Sequence, residues 1–380
     1  MQPPIYLDYN ATTPLDPLVA DAMRPYLDEH FGNPSSGHWY GAQTREAVTR
    51  ARAQVADLLG AHPGEIVLTS GGSEANNHAL KGAARANRHR GRHIITTAIE
   101  HPAVGEVCGW LAGEGFDVTT LPVDAHGMVD PADLERAITP GTILLSVMHA
   151  NNEVGTIQPV RALADIAHRH GVIVHSDAAQ SVGKIPVDVN ELGVDLLSVA
   201  GHKFYGPKGV GALYIRDGVA VEKLIHGASH ERDRRAGTEN ILEVVGLGVA
   251  AELAGRRLHD AMRHGGELRD LLHRLLVAGA PDLRLNGHPE HRLPNTLSVS
   301  FPGIDANALL AAVPEVAASP GAACHAGHAT VSTVIAAMGV PPRHAMGTVR
   351  FSTGRLLTAG QVERAACLVL DAARRLGGAA

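Results

Sequence analysis

Cysteine is almost missing from this chain: Cys108, Cys324 and Cys367 are the only three in 380 residues. Three thiols cannot make a disulfide framework, and such sparing use fits a reducing compartment. Long apolar runs are absent too. None approaches the ~20 residues that a bilayer span needs, so no membrane partner is expected. Met1-Gln2-Pro3-Pro4 leads directly into patterned sequence and not into a secretory leader, which makes the cytoplasm the expected location. A strong charge of either sign is lacking as well, and a net charge of -6 calls for neither nucleic acid nor an acidic partner. The run Arg88-His89-Arg90-Gly91-Arg92-His93 lies between a helical pattern and the strand Ile94-Ile95-Thr96-Thr97, where a solvated connection is the better reading than a nucleic-acid patch. Internal repeats and low-complexity linkers are also absent. What remains is a globular chain, 45% apolar, too long for one ordinary core and sized for about two domains.

Short apolar strands alternate with helical patterns from about residue 16 to about residue 250. They fall at Ile66 to Thr69, Ile94 to Thr97, Ile143 to Val147, Val172 to Ser176, Val194 to Val199 and Gly211 to Ile215. This alternation predicts an α/β fold with a mostly parallel sheet covered on both faces. Beyond about residue 255 the pattern changes to a long helix, the strand Leu297 to Phe301, a helix from about Asn307, a loop around Cys324, the strand Thr348 to Ser352 and a last helix from about Thr358. The expected organisation is a large domain over 16–254 and a smaller α+β domain over 255–380, completed by residues 1–15.

The most informative segment is Ser198-Val199-Ala200-Gly201-His202-Lys203-Phe204-Tyr205-Gly206-Pro207, where an apolar strand ends in a histidine and a lysine. A lysine desolvated at a strand end becomes an amine nucleophile able to form a Schiff base. Upstream, Val172 to Ser176 ends in Asp177, with Gln180 three residues on, an acid suited to a protonated pyridine nitrogen. Together Lys203 and Asp177 suggest pyridoxal 5'-phosphate. Thr69-Ser70-Gly71-Gly72-Ser73-Glu74 follows a strand and opens a helical pattern, so its N–H groups and the Ser73 hydroxyl suit a phosphate; from that stretch alone an ordinary serine cap is the better reading. Ser73, His101, Asn151, Asp177 and Lys203 all fall at or just past strand ends, where ligands bind in open α/β sheets. The 23 histidines invite a metal reading, above all at Cys324-His325-Ala326-Gly327-His328, but a fourth ligand is lacking nearby and no metal is expected.

Eight motifs then run in one order along the chain: Asp8-Tyr9-Asn10-Ala11-Thr12-Thr13-Pro14, Gly32-Asn33-Pro34-Ser35-Ser36, the glycine turn ending in Ser73-Glu74, Glu100-His101, His149-Ala150-Asn151-Asn152-Glu153, Asp177-Ala178-Ala179-Gln180, Gly201-His202-Lys203 and Gly237-Thr238-Glu239-Asn240. In that order and register the chain resembles the cysteine desulfurase and selenocysteine lyase family, fold-type I pyridoxal phosphate enzymes like the class V aminotransferases. The resemblance implies that Lys203 carries the cofactor and acts as base at Cα, that Asp177 keeps the pyridine nitrogen protonated and that His101 stacks on the ring. It gives Asn151 and Gln180 the side of the phenolic oxygen, and Gly72, Ser73 and His202 the phosphate. Thr238 matches a residue that reaches the phosphate from a second subunit, which implies a homodimer. Arg350 matches the arginine that clamps the substrate carboxylate, with Asn151 beside it; a planar fork orients a carboxylate better than a lysine does. Arg355 reads as an assistant to that clamp or as a surface arginine.

Cys324 carries the distinctive step that the resemblance implies, attack on the chalcogen of L-cysteine or L-selenocysteine, with alanine released and the sulfur passed from a persulfide to an acceptor protein or small molecule. Its small-residue surroundings, Ser319 to Thr330, suggest a mobile loop. A free thiol is only about 3% ionised at pH 7, so His325, His328 and His101 are candidate helpers. Cys367 and Cys108 read as inert buried thiols. Three departures stand out: Ala200 replaces a frequent phosphate-binding hydroxyl, Ala322-Ala323-Cys324-His325-Ala326-Gly327 replaces the common surroundings of the nucleophile, and Thr330-Val331-Ser332 stands where Glu-Pro-Ser usually follows. Gly321-Ala322-Ala323-Cys324-His325, the missing hydroxyl at Ala200 and Gly237-Thr238-Glu239-Asn240 resemble animal selenocysteine lyases more, although the longer insertions of those enzymes are missing. The leading reading is a cysteine desulfurase, the second a selenocysteine lyase. Another pyridoxal phosphate lyase or aminotransferase, and a cofactor-bearing scaffold without turnover, follow behind.

Overall fold

Apolar residues in the main sheet run without interruption because both of its faces are covered. In the computed structural model, which describes residues 3–325 and 328–377 and gives 322–325 and 328–330 by backbone alone, the sheet has seven strands. They are β1 (Ile66–Thr69), β2 (His93–Thr97), β3 (Asp117–Leu121), β4 (Thr142–Ser146), β5 (Ile173–Asp177), β6 (Leu196–Ala200) and β7 (Gly211–Ile215). Their order is β1-β7-β6-β5-β4-β2-β3, and only the pairings that involve β7 are antiparallel. Successive side chains alternate between two cores: Leu68, Ile95, Leu145 and Leu197 enter one, while Val67, Ile94, Leu144 and Leu196 enter the other. A parallel sheet buried on both sides reads as a continuous apolar run for this reason. The largely parallel α/β architecture expected from the sequence is thus present. β3 was not among the expected strands, because it is an edge strand whose Asp117-Val118-Thr119-Thr120 stay at least partly exposed.

Helices close both faces. They include α1 (Trp39–Leu59), α2 (Gly72–Asn87) and α3 (Pro102–Gly113). A 39-residue helix, α4 (Ile241–Gly279), then runs past the first core and into another. Its first half buries Val244, Leu247, Ala250 and Ala251 against the main sheet. Its second half buries Leu268, Leu272 and Leu276 with Ile5, Leu7, Leu297, Phe301 and Phe351. That second core lies on an antiparallel sheet of β8 (Arg284–Asn286), β9 (Thr296–Ser300), β10 (Ser319–Pro320) and β13 (Thr348–Ser352), ordered β10-β13-β9-β8. Between β10 and β13 the backbone of the Cys324 segment forms a hairpin of β11 (Ala322–His325) and β12 (His328–Val331), with Cys324 opposite Ala329. Residues 5–13 belong to both halves: Ile5 and Tyr6 pair with Val316 and Ala317, whereas Thr13 bonds to the His202 carbonyl. No helix of the described residues is long and apolar enough to cross a membrane.

Candidate functional site

The carboxyl ends of β4, β5 and β6, the start of α2 and the segment 10–11 enclose a cavity of about 400 Å³. Its walls include Gly72, Ser73, His101, Asn152, Asp177, Gln180, His202, Lys203 and Arg350. Each is there for a local reason. α2 begins after Gly71, which sits at φ 143° with no atom within 4 Å of where a Cβ would stand, and no side chain caps the helix. Its first N–H groups therefore face the cavity unpaired, and an uncapped helix N-terminus favours an anion. Asp177 ends β5, only 5% exposed. Its Oδ2 accepts from Asn76 Nδ2 at 2.7 Å and its Oδ1 from the Ala179 N–H at 2.9 Å, which fixes the carboxylate's plane.

Lys203 follows β6 in a single 3-10 turn. Its Nζ donates to the carbonyls of Asn10 and Ala11, both at 2.8 Å. Burial, and after it the Arg350 guanidinium, push this amine down to about 8, against the pull of Asp177 and Asp8. His202 beside it lies at about 4, lowered first by burial and then by the lysines around it, so its ring is neutral; Nδ1 pairs with Thr12 Oγ1 at 3.0 Å. His101 caps α3 and stands exposed at the cavity's mouth. Its Nδ1 accepts the Ala103 N–H at 3.1 Å, so the proton of the neutral ring sits on Nε2. Burial lowers its pKa against the attraction of Asp177, with Lys203 adding to the drop.

Arg350 comes from β13, in the second sheet, and reaches the cavity from the opposite side. One terminal nitrogen donates to Asp8 Oδ1 at 2.7 Å and Ser319 Oγ at 2.9 Å, and the other to the Asn152 carbonyl at 3.1 Å. Its buried Nε has no partner. The fork is thus pre-set in a polar frame, with three of its five N–H donors used among the described residues. The hairpin that bears Cys324 is anchored at its base by Ser332, whose hydroxyl donates to Glu153 Oε2 at 2.5 Å and whose N–H donates to the Gly321 carbonyl. The side chains of Cys324, His325 and His328 lie outside the described residues, and with them the question of a thiolate helper or a metal there.

The structure corrects two of the expected placements. Asn151 is fully buried and its amide is spent inside the turn: Oδ1 accepts from Glu153 and Val154 N–H, both at 2.9 Å, and Nδ2 donates to the Ile99 carbonyl at 3.0 Å. It does not line the cavity; its neighbour Asn152 does. Arg355 is neither a clamp nor a surface residue. Its guanidinium stacks 3.7 Å from the Tyr205 ring centroid and pairs with Asp16, and its N–H donates to Tyr205 Oη at 2.9 Å. That grip holds Tyr205 at φ 69°, a left-handed conformation costly for an aromatic residue, two positions beyond Lys203. Thr238 is exposed and opens a separate cleft with Ser70, Gly209 and Arg235, away from its own chain's cavity.

Other groups at the site escaped sequence reading. Asn10 is a buried hub whose amide donates to Thr296 Oγ1 at 2.8 Å and to the Asn152 carbonyl at 3.1 Å. Lys184 is only 8% exposed and donates to Asn10 Oδ1 at 3.0 Å and Gln180 Oε1 at 2.6 Å. Burial pushes the Glu100 carboxyl up to about 8; Oε1 accepts from Thr97 Oγ1 and the Met148 N–H, and Oε2 has no partner. Lys208 lines the outer mouth beside Gly72, Ser73 and His202. Only the motif position of Asn10 and Glu100 hinted at a role. Nothing in the sequence separates Lys184 or Lys208 from surface lysines.

Known proteins resemble this chain over almost its whole length. A cysteine desulfurase IscS of Methanosarcina thermophila is 47% identical over 374 residues, 98% of this chain and 92% of the relative. Among solved structures, a NifS-like protein superposes with a TM-score of 0.92 at 39% identity, covering 99% of this chain and all of the other. A structure described as SspA in complex with cysteine gives a TM-score of 0.82 at 37% identity, over 92% of this chain and 99% of that one. Residues 5–365 match the model of the aminotransferase class-V family, so by sequence and by fold alike the chain belongs to that family.

Proposed function

We propose that this protein is a cysteine desulfurase, which cleaves the C–S bond of L-cysteine, releases L-alanine and takes the sulfur onto Cys324. The observation that carries the reading is the meeting of Lys203, Asp177, His101, Gln180 and Arg350 around one cavity, in a chain 47% identical to a named cysteine desulfurase. The relatives favour sulfur over the selenium alternative.

The donor set fits pyridoxal 5'-phosphate. The uncapped start of α2 with Gly72 and Ser73, together with neutral His202, suits the phosphate; the Asp177 carboxylate suits a protonated ring nitrogen; Gln180 and Asn152 stand on the polar side wall. Lys203 is the one wall residue able to hold such a cofactor covalently. When bound, the cofactor supplies an electron sink for the pair left at Cα. Lys203, depressed to about 8, then has a neutral fraction at physiological pH and takes the Cα proton. Arg350 orients the substrate carboxylate through its fork. The Cys324 thiolate attacks the substrate sulfur, the C–S bond breaks with its electron pair left on Cβ, one proton completes the methyl group, and the proton taken by Lys203 returns to Cα to give alanine. His101, with its proton on Nε2 at the mouth, is placed to move protons there. The sulfur stays on Cys324 as a persulfide for an acceptor.

Further parts of the reading follow the family. A homodimer suits the exposed Thr238, which stands outside its own cavity where a residue serving a second copy belongs. We divide the chain into a cofactor-binding domain over 16–254 and a smaller domain over 1–15 with 255–380, the boundary falling inside α4, and place the protein in the cytoplasm. The test is steady-state turnover of L-cysteine with a reductant: alanine and sulfide in equal amounts support the function. Negligible kcat/KM for L-cysteine beside efficient cleavage of L-selenocysteine overturns it in favour of a selenocysteine lyase.

A further inference from the structure

Lys184 is a buried lysine for which the reaction above has no use. Its amine has no carboxylate partner among the described residues; its bonds go to two amide oxygens, Asn10 Oδ1 and Gln180 Oε1. The charged groups that bear on it are Lys203 and Arg350, both positive, and after burial they lower its pKa well below the ordinary lysine value. A buried polar group is costly unless hydrogen-bonded, so the two bonds it makes matter.

Gln180 sits between two fixed groups. On one side its Nε2 donates to the Asn10 carbonyl at 2.9 Å, and a carbonyl only accepts. On the other its Oε1 accepts from Lys184 Nζ at 2.6 Å, a short bond. A flipped amide would set oxygen against oxygen at Asn10 and lose the lysine bond. The orientation is thereby settled by chemistry, and the second Nε2–H has no protein partner among the described residues, while Gln180 lines the cavity. We propose that Lys184 is a positioning residue that locks Gln180 with its N–H toward the cavity and, by polarising that amide, makes it a stronger donor to an anionic ring oxygen of the cofactor. The inference rests on the proposed cofactor.

The test is a pH titration of the visible absorbance of the holoenzyme, without substrate. Strong donation to the ring oxygen disfavours the protonated form of the bound cofactor, so Lys184→Met raises the midpoint by about one pH unit, a tenfold change in proton affinity. Gln180→Leu raises it by a similar amount, and the double variant shifts no further than either alone, because the lysine acts through the glutamine. Where Lys184→Met does not fold, Lys184→Gln, neutral and polar, takes its place with the same expected direction. An unchanged midpoint in the folded variant, or full additivity in the double variant, overturns the inference, and a fall in Tm with a wild-type midpoint reduces Lys184 to a structural lysine. A wild-type protein with no visible band at saturating cofactor overturns the cofactor reading itself, which keeps the two failures apart.

Discussion

Replacing Arg350 by methionine takes from the cavity the charge that, after burial, does most to hold Lys203 down to about 8. The drop from the ordinary value is worth about 3 kcal/mol against the ammonium form. At pH 7.5 it leaves roughly a quarter of Lys203 neutral, against about one part in a thousand for an unperturbed lysine, a gain of about 250-fold in the nucleophilic form. With Arg350 gone, only burial opposes the upward pull of Asp177 and Asp8, and the midpoint should climb by on the order of one pH unit. Stopped-flow absorbance during recapture of pyridoxal phosphate by the apoprotein, from pH 6 to pH 10, reads the neutral fraction directly. The wild type should show a rate rising with pH to a midpoint near 8, and Arg350→Met the same curve moved to higher pH. The sign for stability follows from the same shift. Because the folded pKa is depressed, the unfolded chain binds more protons between about 8 and the ordinary lysine value, so the penalty is present in full below 8 and relieved across that window. A wild-type midpoint at the ordinary lysine value, or one that Arg350→Met leaves in place, refutes the electrostatic account of Lys203.

Asp177→Ala should still bind pyridoxal phosphate but lower kcat for L-cysteine on the order of 10²-fold or more, since a preorganised charge opposite the ring nitrogen is lost; unchanged kcat removes Asp177 from the chemistry. Glu231→Ala, which removes a buried bidentate pair with Arg52 and the acceptor of the Leu68 N–H, should cost about 3–5 kcal/mol in denaturant unfolding. A loss below 1 kcal/mol would show that the left-handed run Glu231-Arg232-Asp233 is held by other contacts. Mixing Lys203→Ala with Thr238→Ala subunits should regain activity above that of either variant, because each mixed dimer contains one undamaged site. Strictly additive activity contradicts a shared site.

Much of the fold was legible because it follows from local rules. Apolar runs between helical patterns gave six of the seven main strands, and the strand ends gave Ser73, Asp177 and Lys203 their common edge. The missed strand, Asp117–Leu121, lies at the sheet's margin, where solvent removes the apolar signal. The site was legible where one residue type can do one job, as with Lys203. It failed where two neighbours offer the same chemistry: Asn151 and Asn152 differ only in which one the turn consumes. Arg355 was unreadable for a related reason, since its partners Tyr205 and Asp16 are 150 and 339 residues away in sequence. The small residues around Cys324 suggested a loop, yet the backbone of 322–325 pairs with that of 328–331, because residues without bulk also fit an antiparallel ladder. Lys184 shows the deepest limit: burial of a lysine is a property of the assembled fold and has no local signature.

The central claim is that L-cysteine gives up its sulfur to Cys324. Mass spectrometry of the Cys324 peptide after a single turnover with L-cysteine, without reductant, measures this directly. The account expects one added sulfur atom on Cys324 for each alanine released, and with Cys324→Ala a retained cofactor spectrum but no alanine. Alanine formed with sulfur on Cys108 or Cys367, or undiminished turnover by Cys324→Ala, would contradict it.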